Sequence, residues 1–389
     1  MSQDVSAGVA AFVALLAFAV LVSIAAERAR IPAAVLLVGV GAVFGSIWHV
    51  KPPFQFGPAV FFVFLPPLIF EAAWSIDLAA LRACVLRVGL LALPGTVVSA
   101  LVVAAVVVAT DKLPFGSALL LGAMISATDP VAVVAVFRHA AVPTRIKTLV
   151  EAESLSNDGV AVVLYGIALA LVQGTSVSWP AAVGHGIVEI AGGIVVGAAC
   201  AVPLWLVLRM TRSSEYEVTT TIVLAYIAYL LADHLTFSGI FATASAAVAL
   251  RALLQPGMNM HNRDIVDEFW RSGAYIANAA VFLATGLLIN IPRALHEPVL
   301  VAVVVAAVLV ARVALSFAAG DDRASRITVF LAGMRGALPL ALALALPQNL
   351  PFRAEMIDGV FAVVLFTLVF QGSLLEPVVS RLYGKIEPA

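Results

Sequence analysis

The chain has 389 residues, of which 62% are apolar and only 12% charged, and its mean hydropathy is +1.08. A soluble domain carries about twice that charged fraction, roughly 25%, so lipid must solvate most of this surface. A net charge of −1 gives no basis for binding nucleic acid, and Cys84 and Cys200, at no metal-like spacing, read as inert buried thiols.

The first apolar run, 7–25, follows Asp4 and precedes Arg28 and Arg30. A secretory signal has positive charge before a shorter apolar run, so this one reads as a spanning helix with its N-terminus outside. A bilayer core about 30 Å thick needs ~20 helical residues. Twelve further runs meet that need: 33–50, 57–74, 87–109, 115–138, 147–173, 180–208, 216–233, 237–254, 273–291, 297–318, 325–346 and 357–380. The stretch 255–272 carries Arg263, Asp264, Asp267, Glu268 and Arg271, and reads as a cytoplasmic amphipathic connection. With this count, sixteen Lys and Arg fall on the inner side, among them Arg138 and Lys385. Only Lys51, Lys112, Arg293 and Arg353 fall outside, while Arg312 and Arg335 stay within spans. That bias places the C-terminus in the cytoplasm of a cell (inner) membrane protein. The chain stops soon after its last apolar run, and no cytosolic regulatory domain is expected.

The expected fold is an all-α polytopic membrane protein of about thirteen transmembrane helices. Thirteen divides as six, one and six: a first repeat over 7–173, a linking helix over 180–208 and a second repeat over 216–380. One linking helix inverts the second unit relative to the first, and inverted repeats are a common scaffold of secondary transporters, with matching helices broken near the midplane. The fifth span of the first half reads SATDPVAVVAVF, with Pro130 after Thr128 and Asp129. Its counterpart in the second half reads AGMRGALPLALALALP, with Gly333, Gly336 and Pro339. Both breaks hold the same ordinal place.

An ionisable side chain at the bilayer centre costs on the order of 2.5–3.5 kcal/mol by insertion scales. The residues placed there are Asp129, Glu153, Asp158, Glu189, Arg312 and Arg335, with Glu71 nearer a span end. In EAESLSNDGVAVVLY, Glu153 stacks over Asn157 and Ser154 over Asp158, since i and i+4 share a helix face. Two carboxylates exceed what a polar packing seam requires. Thr128 and Asp129 could cap the half-helix that starts at Pro130, and the same hydroxyl and freed carbonyls suit a small hard cation. Arg312 stays charged at any relevant pH. It either faces a buried carboxylate, Glu153 being the candidate that leaves Asp158 uncommitted, or snorkels to the inner surface. Arg335 neutralises carbonyl ends or holds an acid, with no partner assigned. Glu71 fits a funnel or an interface equally well, and Glu189 an interface. His139, His185 and His234 fall in loops or near span ends, so no histidine relay or metal centre is expected.

LPPLIFEAAW at 65–74, SATDPVAV at 126–133, EAESLSNDGVAVVLY at 151–165, Ala311-Arg312-Val313 and AGMRGALPLALAL at 332–344 carry a resemblance. In order, they resemble the NhaP-type sodium/proton antiporters, relatives of the animal NHE exchangers within the monovalent cation:proton antiporter superfamily. The resemblance implies a NhaA/NapA-like fold with two broken, crossing helices, and a homodimer. It implies that Asp158 binds a cation or a proton, that Ser154 and Thr128 supply further oxygens to Na+ or Li+, and that Glu153 pairs with Arg312. Electrogenic cousins carry Asp-Asp where this chain has Asn157-Asp158, which points to electroneutral one-for-one exchange by alternating access. No cofactor is implied, and the partners are monovalent cation, proton and bilayer. Rival readings are a K+/H+ antiporter of the same fold, a passive cation channel, and an intramembrane aspartyl protease using Asp129 and Asp158. The last needs Tyr-Asp and Gly-x-Gly-Asp motifs, absent around these positions.

Overall fold

The computed structural model describes residues 2–29, 31–48, 60–137, 140–175, 177–254, 262–289, 298–319 and 322–384. Arg30, Lys51, Arg138, Arg293 and Lys385, which enter the charge count, lie outside the described residues, as do His139 and 255–261 of the expected amphipathic connection. The described residues are helical nearly throughout, with no strand.

The helices are α1 (Ser2–Ala29), α2 (Ala33–Trp48), α3 (Leu65–Ser75, entered through a π-turn at Val60–Phe64), α4 (Leu78–Ala92), α5 (Pro94–Val108), α6 (Phe115–Ser126), α7 (Pro130–Phe137), α8 (Thr144–Val172) and α9 (Trp179–Arg209). They continue as α10 (Ser214–His234), α11 (Gly239–Leu253), α12 (Arg263–Leu288), α13 (Pro298–Ala319), α14 (Arg323–Leu331), α15 (Ala337–Leu344), α16 (Arg353–Phe366) and α17 (Gly372–Tyr383). Six helical stretches among them are long and apolar enough to cross a membrane, including α4 with α5 and α16 with α17, each pair running on as one rod. Large apolar side chains stand exposed along α9, such as Ile187 at 62% and Val195 at 66%. Such a flank calls for a lipid surround or an apolar partner surface rather than water.

Several helices outrun the apolar runs that announce them. Where the fourth run starts at 87, α4 starts at Leu78, because the Asp77 carboxylate caps it by accepting the Ala80 amide at 2.8 Å. The charged residues from Arg263 to Arg271 are not a separate connection. They form the opening turns of α12, where Asp267 accepts a hydrogen bond from Trp74 Nε1 at 2.6 Å and sits 3.8 Å from Arg263.

Packing divides the helices into two groups. α1–α3 pack with α9–α12, and α4–α8 pack with α13–α17. Close seams within the first group need glycine. A Cβ on Gly41 of α2 would stand 2.8 Å from the Gly286 Cα of α12, and one on Gly193 of α9 would run into the Ser238 carbonyl at the start of α11. Cys84 is buried on α4 and Cys200 half-buried on α9.

Candidate ion-binding site at the crossed helix breaks

Proline dictates the first break. Pro130 has no N–H to donate and biases Asp129 toward extended backbone, so α6 ends at Ser126 and α7 begins at Pro130. The amides left over find partners elsewhere. Thr128 N–H donates to Asn157 Oδ1 at 3.2 Å, and Asp129 N–H donates to the Met334 carbonyl at 2.9 Å. Met334 belongs to the second break, Ala332–Gly336, between α14 and α15. The two interruptions therefore cross and are hydrogen-bonded to each other. Gly336 permits the approach, because a Cβ there would overlap the Asp129 carboxylate. The second break is held from α16 as well, where Arg335 N–H donates to Thr367 Oγ1 at 3.1 Å. Thr367 opens a π-turn, Thr367–Gln371, a feature common at functional sites.

α8 supplies the polar side chains. Asn157 Nδ2 donates to Thr128 Oγ1 at 2.7 Å, so one amide grips both the backbone and the hydroxyl of the break. Thr128 Oγ1 and Ser154 Oγ lie 2.7 Å apart in a hydrogen bond. Asp158, one turn beyond Ser154, is half-buried, and its Oδ1 is buried with no hydrogen-bond partner among the described residues. Glu153 points away from this cluster, to Arg312, with NH1–Oε1 2.5 Å and NH2–Oε2 3.2 Å. Arg312 Nε donates to the Val329 carbonyl at 3.1 Å, so all three guanidinium nitrogens are used. Gly333 leaves the room for it, since a Cβ there would stand 2.5 Å from Arg312 Nε. The Arg335 side chain is 2% exposed and lies among Asp158, Glu153 and Arg312, its Nε and NH1 making no hydrogen bond to described residues.

Thr128, Asp129, Asp158 and Gly336 share a cavity of about 60 Å³, room for a small ion with a few waters. The opposite wall comes from the other packed group: Leu65, Leu68, Ile69 and Ala72 of α3, and Asn278 of α12. A second cavity of about 240 Å³ lies beside it, lined among others by Glu71, Ser75, Glu151, Arg271 and Tyr275. Ala72, Pro130 and Asn278 line both. Glu71 lines the larger cavity, whereas Glu189 lies half-buried on α9 and lines neither cavity. Sequence reasoning passed over Asn278 and Thr367. Their only signal was a neutral polar residue inside an apolar run.

Thr128, Ser154, Asn157 and Asp158 therefore meet at one place, with Asp129 on the same cavity and the Glu153–Arg312 pair behind it. The described residues hold no cluster of His, Cys, Asp and Glu suited to a resident metal. An acid at the crossing of two interrupted apolar helices is the arrangement of an ion-coupled secondary transporter. The family model described as sodium/hydrogen exchanger, transmembrane, matches residues 13–381, and the chain belongs to that family. It is 33% identical over 368 residues to the Na+/H+ antiporter ApNhaP of Aphanothece halophytica, covering 91% of this chain and 70% of that one. The Na+/H+ antiporter NhaH of Halobacillus aidingensis is 32% identical over 389 residues, covering 95% and 96%. The solved structure of the sodium proton antiporter MjNhaP1 from Methanocaldococcus jannaschii shares the fold, with a TM-score of 0.82 over 97% of this chain and 99% of that one, at 21% identity.

Proposed function

We propose that this chain exchanges Na+ or Li+ for H+ across the cell membrane, one for one, with Asp158 holding either the cation or the proton. The observation that carries the reading is Asp158 itself, a carboxylate at the crossing of the two breaks with one buried oxygen that has no hydrogen-bond partner among the described residues. A hard cation seeks oxygen, and the hydroxyls of Thr128 and Ser154 stand beside it with lone pairs to offer. A proton satisfies the same carboxylate, so the two ligands compete. The names of the relatives support sodium as the cation.

Neutrality of the exchange rests on bookkeeping of charge. Glu153 and Arg312 cancel each other, and Asn157 spends its amide on Thr128 rather than adding a second acid. Asp158 is then the group whose charge alternates between a cation and a proton. Alternating access would come from movement of one packed group against the other, within thirteen spans arranged as inverted repeats over 7–173 and 216–380. The N-terminus would lie outside and the C-terminus inside, so that the larger cavity, with Arg271 at its wall, opens to the cytoplasm. The family resemblance supports a homodimer.

The test is cation-driven dissipation of a pH gradient in proteoliposomes, with Na+, Li+ and K+ added in turn. Asp158→Asn is expected to lower the rate by about 100-fold or more, as loss of a group essential in both half-reactions should. Exchange retained in that variant would sink the assignment.

A further inference from the structure

The wall that faces Asp158 across the small cavity is apolar except at one point. α3 contributes Leu65, Leu68, Ile69 and Ala72, and α12 contributes Asn278. Asn278 is half-buried, sits between the buried Ala277 and Ala279, and makes no hydrogen bond to any described residue. It is also the polar side chain common to both cavities, since the other shared residues are Ala72 and Pro130. An amide held without a protein partner in an apolar wall keeps its oxygen available to whatever passes. Farther along the larger cavity, the buried Ser23 Oγ likewise has no partner among the described residues.

We propose that Asn278 is the hand-off ligand of the exchange site, its amide oxygen replacing a water on the cation at the junction of the two cavities. The proposal rests on the exchange reading above and adds a specificity-determining residue to it. A cation leaving the larger cavity must shed water before it reaches Asp158, and an apolar wall alone offers nothing in return. Asn278 Oδ1 supplies a neutral oxygen from the opposite packed group, without adding a charge that would alter stoichiometry. The ion is then held between the two groups, by Asp158 on one and Asn278 on the other, and apparent affinity depends on both.

The experiment compares the wild type with Asn278→Leu, which keeps the bulk and removes the oxygen, and with Asn278→Gln, which keeps the oxygen. Expected in proteoliposomes is a rise of about tenfold in the KM for Na+ in the leucine variant, with maximal rate within about twofold, and substantial recovery in the glutamine variant. Sodium-dependent thermal stabilisation of the purified protein should show the same tenfold shift in half-maximal Na+. If leucine prevents folding, Asn278→Ala is read in its place, with Asn278→Ser as the oxygen-bearing control. An unchanged KM and an unchanged sodium midpoint in a folded variant, with a wild type that exchanges, overturn this proposal alone. A fall in maximal rate without a KM change also overturns it, because that marks a packing role. A wild type that does not exchange overturns the functional reading and this inference together.

Discussion

Glu153 and Arg312 show what a single pair must achieve inside this protein. Both are nearly inaccessible, at 2% and 3% exposed, and every guanidinium nitrogen has an acceptor. Removing one partner leaves the other buried and charged, which costs far more than the intact pair contributes. Glu153→Gln is therefore expected to destabilise the protein by about 3–5 kcal/mol, read as a lowered unfolding midpoint in detergent. An unchanged midpoint would mean that Arg312 has found another acid. The charged residues of this region were legible in the sequence because lipid makes an ionisable side chain conspicuous. Asn278 and Thr367 were not, since a neutral polar group inside a span usually marks an ordinary helix contact. The division of labour on α8 was equally hidden. Helical periodicity stacks Glu153 over Asn157, yet the two side chains serve different neighbours, Arg312 and Thr128.

The helix breaks repeat this logic one level up. Pro130 announces the first, and Gly333, Gly336 and Pro339 announce the second, so both elements could be placed from composition. Their hydrogen bond to each other, Asp129 N–H to the Met334 carbonyl, could not, because nothing local dictates it. Gly336 is where this contact is most exposed to challenge. On an ordinary helix, Gly→Ala gains up to about 1 kcal/mol. Here the added methyl meets the Asp129 carboxylate and must push the breaks apart. Gly336→Ala is expected to lose at least about tenfold in exchange rate, since small misplacements of a binding group have large effects. Gly39→Ala on α2, where a Cβ meets nothing within 4 Å, serves as the neutral comparison. Equal rates in the two variants would show that the crossing tolerates separation. Helix ends were misjudged for a plain reason. An apolar run reports the hydrocarbon layer, whereas a helix continues to its cap, as at Asp77 for α4 and at Asp322, whose carboxylate accepts the Ser325 amide at 2.8 Å for α14.

At the scale of the whole molecule, two packed groups meet along a seam that contains both cavities. Hydropathy says how many apolar runs exist, but not which of them pack together, because lipid-facing and partner-facing residues are equally apolar. Glycine seams such as Gly41 with Gly286 settle the grouping, and they are visible only once both helices are placed. The proposed one-for-one exchange would move no net charge through this seam. A membrane potential would act on a net charge with ~2.3 kcal/mol per 100 mV. Imposing about 100 mV of either sign with a potassium gradient and valinomycin should therefore leave the Na+-driven rate within about twofold, whereas a net charge would change it severalfold. The Glu153–Arg312 pair has a further consequence, for synthesis. Its two members lie 159 residues apart. At about 5–20 residues per second, the ribosome needs roughly 8–30 s to deliver the arginine after the glutamate. During that interval Glu153 exists without Arg312, so the buried pair can close only after α13 has been made.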